Sequence, residues 1–381
     1  GSEATCMGCP AGTYLETEGN DAAEDCMACG MGKYSTTVGS PSEQDCIACP
    51  AGKYLGSSGN DEERDCRECP AGKYSTAVGA SDPAACSDCG AGKYSSTVGA
   101  DSEALCMLCG AGKYSGAIGA AWEDTCALCG AGKYSAAQGA VSNGACQDCA
   151  AGKYLVSAGA PYDICMSCGA GKYSPTLGSS TEATCQECGA GKYSTGVGAI
   201  SVSTCVSCTS GKYSTVVGAA VDTCVNCAAG KYSEALGAVS EDTCTECAAG
   251  KYSGVMSAGA EAACQKCGAG KYSTFEGAVS VSTCIDCEAG KYSTTVGAAS
   301  ESVCLECGAG KYSTVPGATL ESTCVGCGVG KYSIVVGSPS STTCMGCPAG
   351  TYLETEGNDE LQDCVACGEG KYTTTVGSPS E

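Results

Sequence analysis

Histidine is absent from these 381 residues, and tryptophan and phenylalanine occur once each, as Trp122 and Phe275. Without an imidazole, the usual Ser-His or Cys-His activation of a nucleophile has no base to work with. A unique active site also needs unrepeated residues. The candidates, Trp122, Phe275, Tyr162, Arg64, Arg67 and Lys266, are scattered through different parts of the chain, so no enzyme is expected. Large apolar side chains are equally scarce. A hydrophobic fraction of 43% that leans on Ala, Val and Cys, with seven Met, cannot fill the cores that two or three globular domains of this length require.

Positive charge is the next shortage. Lys and Arg total 20 against 42 Asp and Glu, for a net charge of −22, and 17 of the 20 are the Lys of a recurring Gly-Lys-Tyr phrase. Spaced singly, they form no patch for phosphates, which excludes a nucleic-acid partner. No apolar run approaches the roughly 18 residues of a membrane span and no signal peptide opens the chain, so no membrane segment is expected. None of the five Asn starts an Asn-x-Ser/Thr sequon. O-linked glycans on the dense Ser and Thr around YSTTVG and GSPS are the modification the composition allows.

What the chain has in abundance is cysteine, 38 residues, a density typical of disulfide scaffolds in oxidising compartments. All 38 fall in 19 CxxC pairs. Sixteen of the 18 intervals between pairs are 20 residues, and the other two, Cys146 to Cys165 and Cys205 to Cys224, are 19. Each short block loses its residue between the second Gly and the next Cys, which marks that segment as a tolerant loop. The block from Cys244 to Cys264 keeps its length while its Gly moves to Gly259, so the section from strand to turn is expected to be re-cut there.

A longer period overlies the first. The 38 residues from Cys6 return from Cys344 with 32 identities. The chain 1–381 therefore reads as one continuous tandem array of CxxC-x16 modules, with 6–343 a complete superrepeat of 17 modules and 344–381 the start of the next. Capping repeats of the kind that close free-standing solenoids are missing, and the chain reads as a window on a longer array.

Within a block, the two recurring Gly suit turns with positive φ. Tyr34, Thr36 and Val38 alternate with Ser35 and Thr37, the pattern of a short half-buried strand with Tyr and Val on one face. The expected fold is a small disulfide-rich β structure: an elongated solenoid or rod of about nineteen 20-residue single-disulfide modules, with short strands and turns and no large core. Such a block cannot offset its own backbone entropy without cross-links. If all blocks are equivalent, two uniform pairings remain open: second cysteine to the next first, as in Cys9–Cys26, or first to the next second, as in Cys6–Cys29. The former is favoured because each bridge then encloses one Gly-Lys-Tyr unit, so that Tyr14, Tyr34, Tyr54, Tyr74 and Tyr94 can lie on their own disulfides. The ladder would run Cys9–Cys26, Cys29–Cys46, Cys49–Cys66, Cys69–Cys86, Cys89–Cys106 and onward to Cys347–Cys364, leaving Cys6 and Cys367 unpaired within the chain. The x-x dipeptide inside each CxxC becomes a short, stiff joint.

CPAGTYLETEGNDAAEDC, from Cys9 to Cys26, resembles the ephrin-receptor-like cysteine-rich repeat and the smallest single-disulfide submodule of tumour-necrosis-factor-receptor domains. The resemblance implies the same second-to-next-first bridge. Long uniform arrays of such repeats also resemble extracellular fibres and flagellar hairs (mastigonemes) of protists, which implies a structural glycoprotein at the cell surface whose partner is itself, as a longer chain or as neighbouring copies in a filament. The alternative is a receptor or adhesin ectodomain that binds a protein. Two metal readings stand beside these. CxxC pairs 16 residues apart have zinc-site spacing, yet four-cysteine sites would consume pairs two by two against a one-block period. The acidic run Asp61, Glu62 and Glu63 offers oxygens for a weak calcium site, with a solvated loop as the simpler reading. No cofactor is expected.

Overall fold

The computed structural model describes residues 6–381. The modules share one layout, which two of them shorten. In the module closed by Cys49 and Cys66, Lys53 N–H bonds back to Pro50 O at 3.2 Å, and Gly52 takes φ +82°. This is a tight turn whose third residue needs positive φ, the position where glycine carries no steric cost. The chain then runs through a two-residue strand, Lys53–Tyr54. The fifth residue after Tyr54, Gly59, again has positive φ. A single turn of 3-10 helix, Glu63–Asp65, leads to Cys66, whose N–H reaches Glu63 O at 3.0 Å. Arg67–Glu68 closes the module by pairing antiparallel with the first strand, Tyr54 opposite Arg67 and Lys53 opposite Glu68.

The last of these corrects an expectation. The x-x dipeptide of each CxxC, expected as a short, stiff joint between modules, is the paired return strand of the module before it. Its backbone groups need partners like any others, and the nearest unpaired edge is the Lys-Tyr strand across the loop.

The three-residue alternation is also corrected. The strand stops at Tyr34, Ser35 is fully buried, and Val38 is 68% exposed. Ser wins the inward place because its Oγ accepts a hydrogen bond from the N–H two residues on, as Ser35 does from Thr37 N at 3.3 Å. That local bond bends the chain out of extended geometry before a second inward apolar position is reached. The same bond recurs at Ser75, Ser214 and Ser333 among others, while Ser233 Oγ is left without a partner.

The 3-10 turn goes unread in the sequence, although its signal is there. Ser42, Ser102 and Ser240 stand at the N-cap and accept from the N–H two residues on, as N-cap serines do. The two 19-residue blocks omit this turn, which leaves the closing cysteine without its usual carbonyl acceptor. A side chain substitutes: Cys165 N–H bonds Asp163 Oδ1 at 3.0 Å and Cys224 N–H bonds Asp222 Oδ1 at 2.9 Å.

In the block at Cys244 to Cys264 the turn is not re-cut. Ser257 stands in the glycine's place with φ +58°, the one non-glycine with positive φ among the described residues, and Ser257 N–H still reaches Cys227 O at 3.0 Å. The bonds to the preceding module override local preference. Since left-handed geometry costs an L-residue about 1–2 kcal/mol, Ser257→Gly is expected to stabilise this module by about 1 kcal/mol after loss of the Ser257 Oγ–Asn226 Oδ1 hydrogen bond. Slower exchange of the Ser253 and Ala258 amides would report it.

No large core exists. What most modules bury is one disulfide, one Ser and one Ala or Ser after the second Gly, with Tyr half covered and fully buried only at Tyr34 and Tyr332. The described residues fall into two compact units, 6–186 with Val197–Ser201 and Glu187–Gly196 with Val202–Glu381, each built from this same module. No helix among the described residues is long and apolar enough to cross a membrane.

Candidate functional site: the module junction

The disulfides of the structure join each second cysteine to the next first, from Cys9–Cys26 through Cys29–Cys46, Cys49–Cys66, Cys69–Cys86 and Cys89–Cys106 to Cys347–Cys364, 18 bridges with Cα–Cα separations of 5.6–5.9 Å. Cys6 and Cys367 carry free thiols. By chain-entropy reasoning a loop of this size contributes roughly 3 kcal/mol.

Between modules the contacts are backbone to backbone. Gly72 N–H donates to Ser95 O at 2.8 Å, Ser75 N–H to Ala100 O at 3.0 Å, and Gly99 N–H of the following module returns to Cys69 O at 2.8 Å. The same triad joins Gly32, Ser35 and Gly59 to Leu55, Asn60 and Cys29. These are the donors and acceptors that the two-residue strands leave over, so each module completes its neighbour's hydrogen bonding. At about 1 kcal/mol net per bond, one junction supplies as much as one disulfide.

A second layer of contact skips a module. A Cβ added to Gly72 would stand under 3.0 Å from Gly119 O, two modules on, and Gly112 meets Gly159 in the same way. The first glycine is therefore needed twice over, for its positive φ and for this approach, which explains its recurrence in every block.

The tyrosines pack differently from expectation. Tyr34 clusters with Leu55 and with Cys49 and Cys66, the bridge of the following module. Tyr134 lies against Cys149 and Cys165, and Tyr332 against Cys347 and Cys364. Tyr14, Tyr54, Tyr74 and Tyr94 likewise make a parallel bridge to the next module, at Ser40, Ala80, Ala100 and Ala120. Four modules carry Leu in place of Ser, Leu15, Leu55, Leu155 and Leu353, and in the last three the Leu fills the space against the preceding Tyr. Sequence reasoning missed these knots, although the exchange of S for L in GKYS and GTYS-like phrases marks them.

The Lys of Gly-Lys-Tyr has two seats. Where the 3-10 turn begins with Glu, Lys pairs with it, as in Lys113–Glu123 and Lys251–Glu261 at 2.6 Å. Where Pro83, Asn143 or Val281 stands there, Lys turns to the cross-strand Asp, as in Lys73–Asp88, Lys133–Asp148 and Lys271–Asp286 at 2.8–3.0 Å. The Lys251 hydrogen bond holds the Glu261 carboxyl below its ordinary range, and the Glu301 hydrogen bond raises Lys291. The lowered carboxylate helps the fold above its unfolded pKa and ceases to help as pH falls through the folded value; the raised ammonium helps below its unfolded pKa and ceases to help as pH rises through the folded one. Both pairs lie at the surface, where such contacts are worth little. Backbone bonds and disulfides do not titrate, so the circular dichroism of the oxidised chain is expected to stay constant from neutral pH to about pH 3. A cooperative acid transition above that would refute this account.

The acidic run disperses. Glu63 faces Lys53 at 3.5 Å and Glu62 N–H bonds Asp65 Oδ2 at 3.1 Å. Among the described residues no group of three or more His, Cys, Asp or Glu converges as a metal site would.

A tandem, disulfide-laddered β-repeat protein with no core beyond its cross-links is the class this geometry defines. Within that class, the family described as tyrosine-protein kinase ephrin type A/B receptor-like matches residues 1–46 and 336–381. Both ends of the chain thus carry ephrin-receptor-like cysteine-rich repeats, and the same ladder runs between them. No curated protein matches the chain. The disulfide density is that of an extracellular-type protein.

Proposed function

We propose that the chain is a non-enzymatic structural protein, a section of an extracellular fibre, stalk or surface hair at the cell surface, with copies of itself as its partner. The supporting observation is the uniformity of the junction: the same three backbone bonds and the same covalent loop recur from module to module, and side chains vary outside them. Such a stack lengthens by adding modules without needing a larger core, the logic of solenoid proteins. An elongated outline, with length proportional to module number, is part of this reading.

Force spectroscopy tests it. With disulfides intact, pulling can extend each module only by its x-x dipeptide and bridge. With reductant present, each bridge spanning 17 positions is expected to release roughly 50 Å of slack. A compact particle in solution scattering, or long extensions without reductant, would overturn the structural reading. The family match at both ends supports a second reading, an ectodomain that binds a protein partner; retention of a specific protein from the native cell surface by the immobilised oxidised chain, competed by free chain, would favour it.

A further inference from the structure

We propose that the loop tips between the buried Ser and the second Gly form a seam on which a second copy of this chain docks side by side; this rests on the fibre reading above. Isolated exposed aliphatic residues are ordinary on protein surfaces. Here they recur at one place. In the unit containing Val202–Glu381, Val217, Leu236, Met256, Val296 and Val336 are each the fourth residue after the module's Tyr and are 53–75% exposed; in the module of Tyr272 that place is Glu276, with Phe275 exposed beside it. The tips are held at their end by the junction bond of the second Gly, or of Ser257 in its place, as at Gly337 N to Cys307 O, and all but the Leu236 tip are also held at their start by the Ser Oγ bond, as at Val335 N to Ser333 Oγ. The side chains are thus presented at fixed places, and nothing in their own module covers them.

Two arguments choose a second copy as the occupant. The seam advances by one module step, and only a partner with the same step stays in register over many modules, whatever the twist, as matched heptads do in a coiled coil. At roughly 100 Å² per tip, the six side chains offer on the order of 600 Å² per copy, about 1,200 Å² in total, which reaches the lower bound of a stable interface. The occupant also carries the same net charge of −22, so attraction must come from apolar burial against charge repulsion. Association is therefore predicted to strengthen with salt, the reverse of an ionic contact. Glu354 and Glu356, with Glu16 and Glu18 one superrepeat of 338 residues earlier, interrupt the seam at matching places and penalise any register that sets acidic tips opposite each other.

Sedimentation velocity of the oxidised 381-residue chain, at low and high sodium chloride, tests the proposal. The wild type is expected to associate, more strongly at high salt. The variant V217K/L236K/M256K/V296K/V336K is expected to weaken association at least about tenfold. The control V225K/I285K/L305K, on exposed return strands, is expected to behave as wild type, with circular dichroism showing all three folded alike. A wild type that stays monomeric at every salt concentration, a tip variant that associates as wild type, or a control that loses as much would overturn the seam. The frictional ratio from the same runs separates the two readings: an elongated chain that never associates sinks the seam alone, and a compact one sinks the fibre reading.

Discussion

Replacing Cys109 and Cys126 together by serine is expected to cost about 3 kcal/mol and to spread beyond the module that loses its bridge. The module between them has no other core. Once its loop is free, Gly112 N–H is released from Ser135 O and Gly119 N–H from Cys89 O, so one junction on each side weakens as well. Amide exchange at Gly112, Gly119 and Cys129 should accelerate by about two orders of magnitude, while amides several modules away keep wild-type rates, as nearest-neighbour coupling requires. Full reduction removes every such loop and should unfold the chain outright. Acceleration of less than about threefold in the double variant would mean that the hydrogen-bonded junctions hold the module without sulfur.

The second large effect is expected from one methyl group. Gly72→Ala places a Cβ on a residue with φ +84° and under 3.0 Å from Gly119 O. The backbone conformation alone costs about 1–2 kcal/mol. The carbonyl cannot retreat freely, because Gly119 N–H is tied to Cys89 O at 2.8 Å. A loss of about 3 kcal/mol or more is expected, read as faster exchange at Gly72 and also at Gly119, 47 residues away. Gly90→Ala is the matched control. Nothing lies within 4 Å of its added Cβ and its φ is not positive, so it should be neutral or slightly stabilising. Equal effects from the two substitutions would remove the close approach between alternate modules as the reason for the recurring glycine.

Much of the architecture was legible in one dimension because its period is covalent. Cysteine spacing and glycine placement are local properties: a bridge of fixed span and a turn with positive φ leave marks at fixed sequence intervals, and from those marks follow the module, its length and the absence of a large core. What only the tertiary structure decided is where each module sends its leftover groups. Tyr34 lies on the next module's bridge rather than its own, Val38 faces outward while Ser35 goes in, the x-x dipeptide is a strand, and Ser257 accepts a glycine's geometry. The first and last are set by backbone contacts with a neighbouring module more than 20 residues away, the strand by pairing across its own loop, and the Ser35 turn by a hydrogen bond two residues long. Identical repeats carry no pattern to reveal such pairing, because every possible partner looks like every other until the chain is folded.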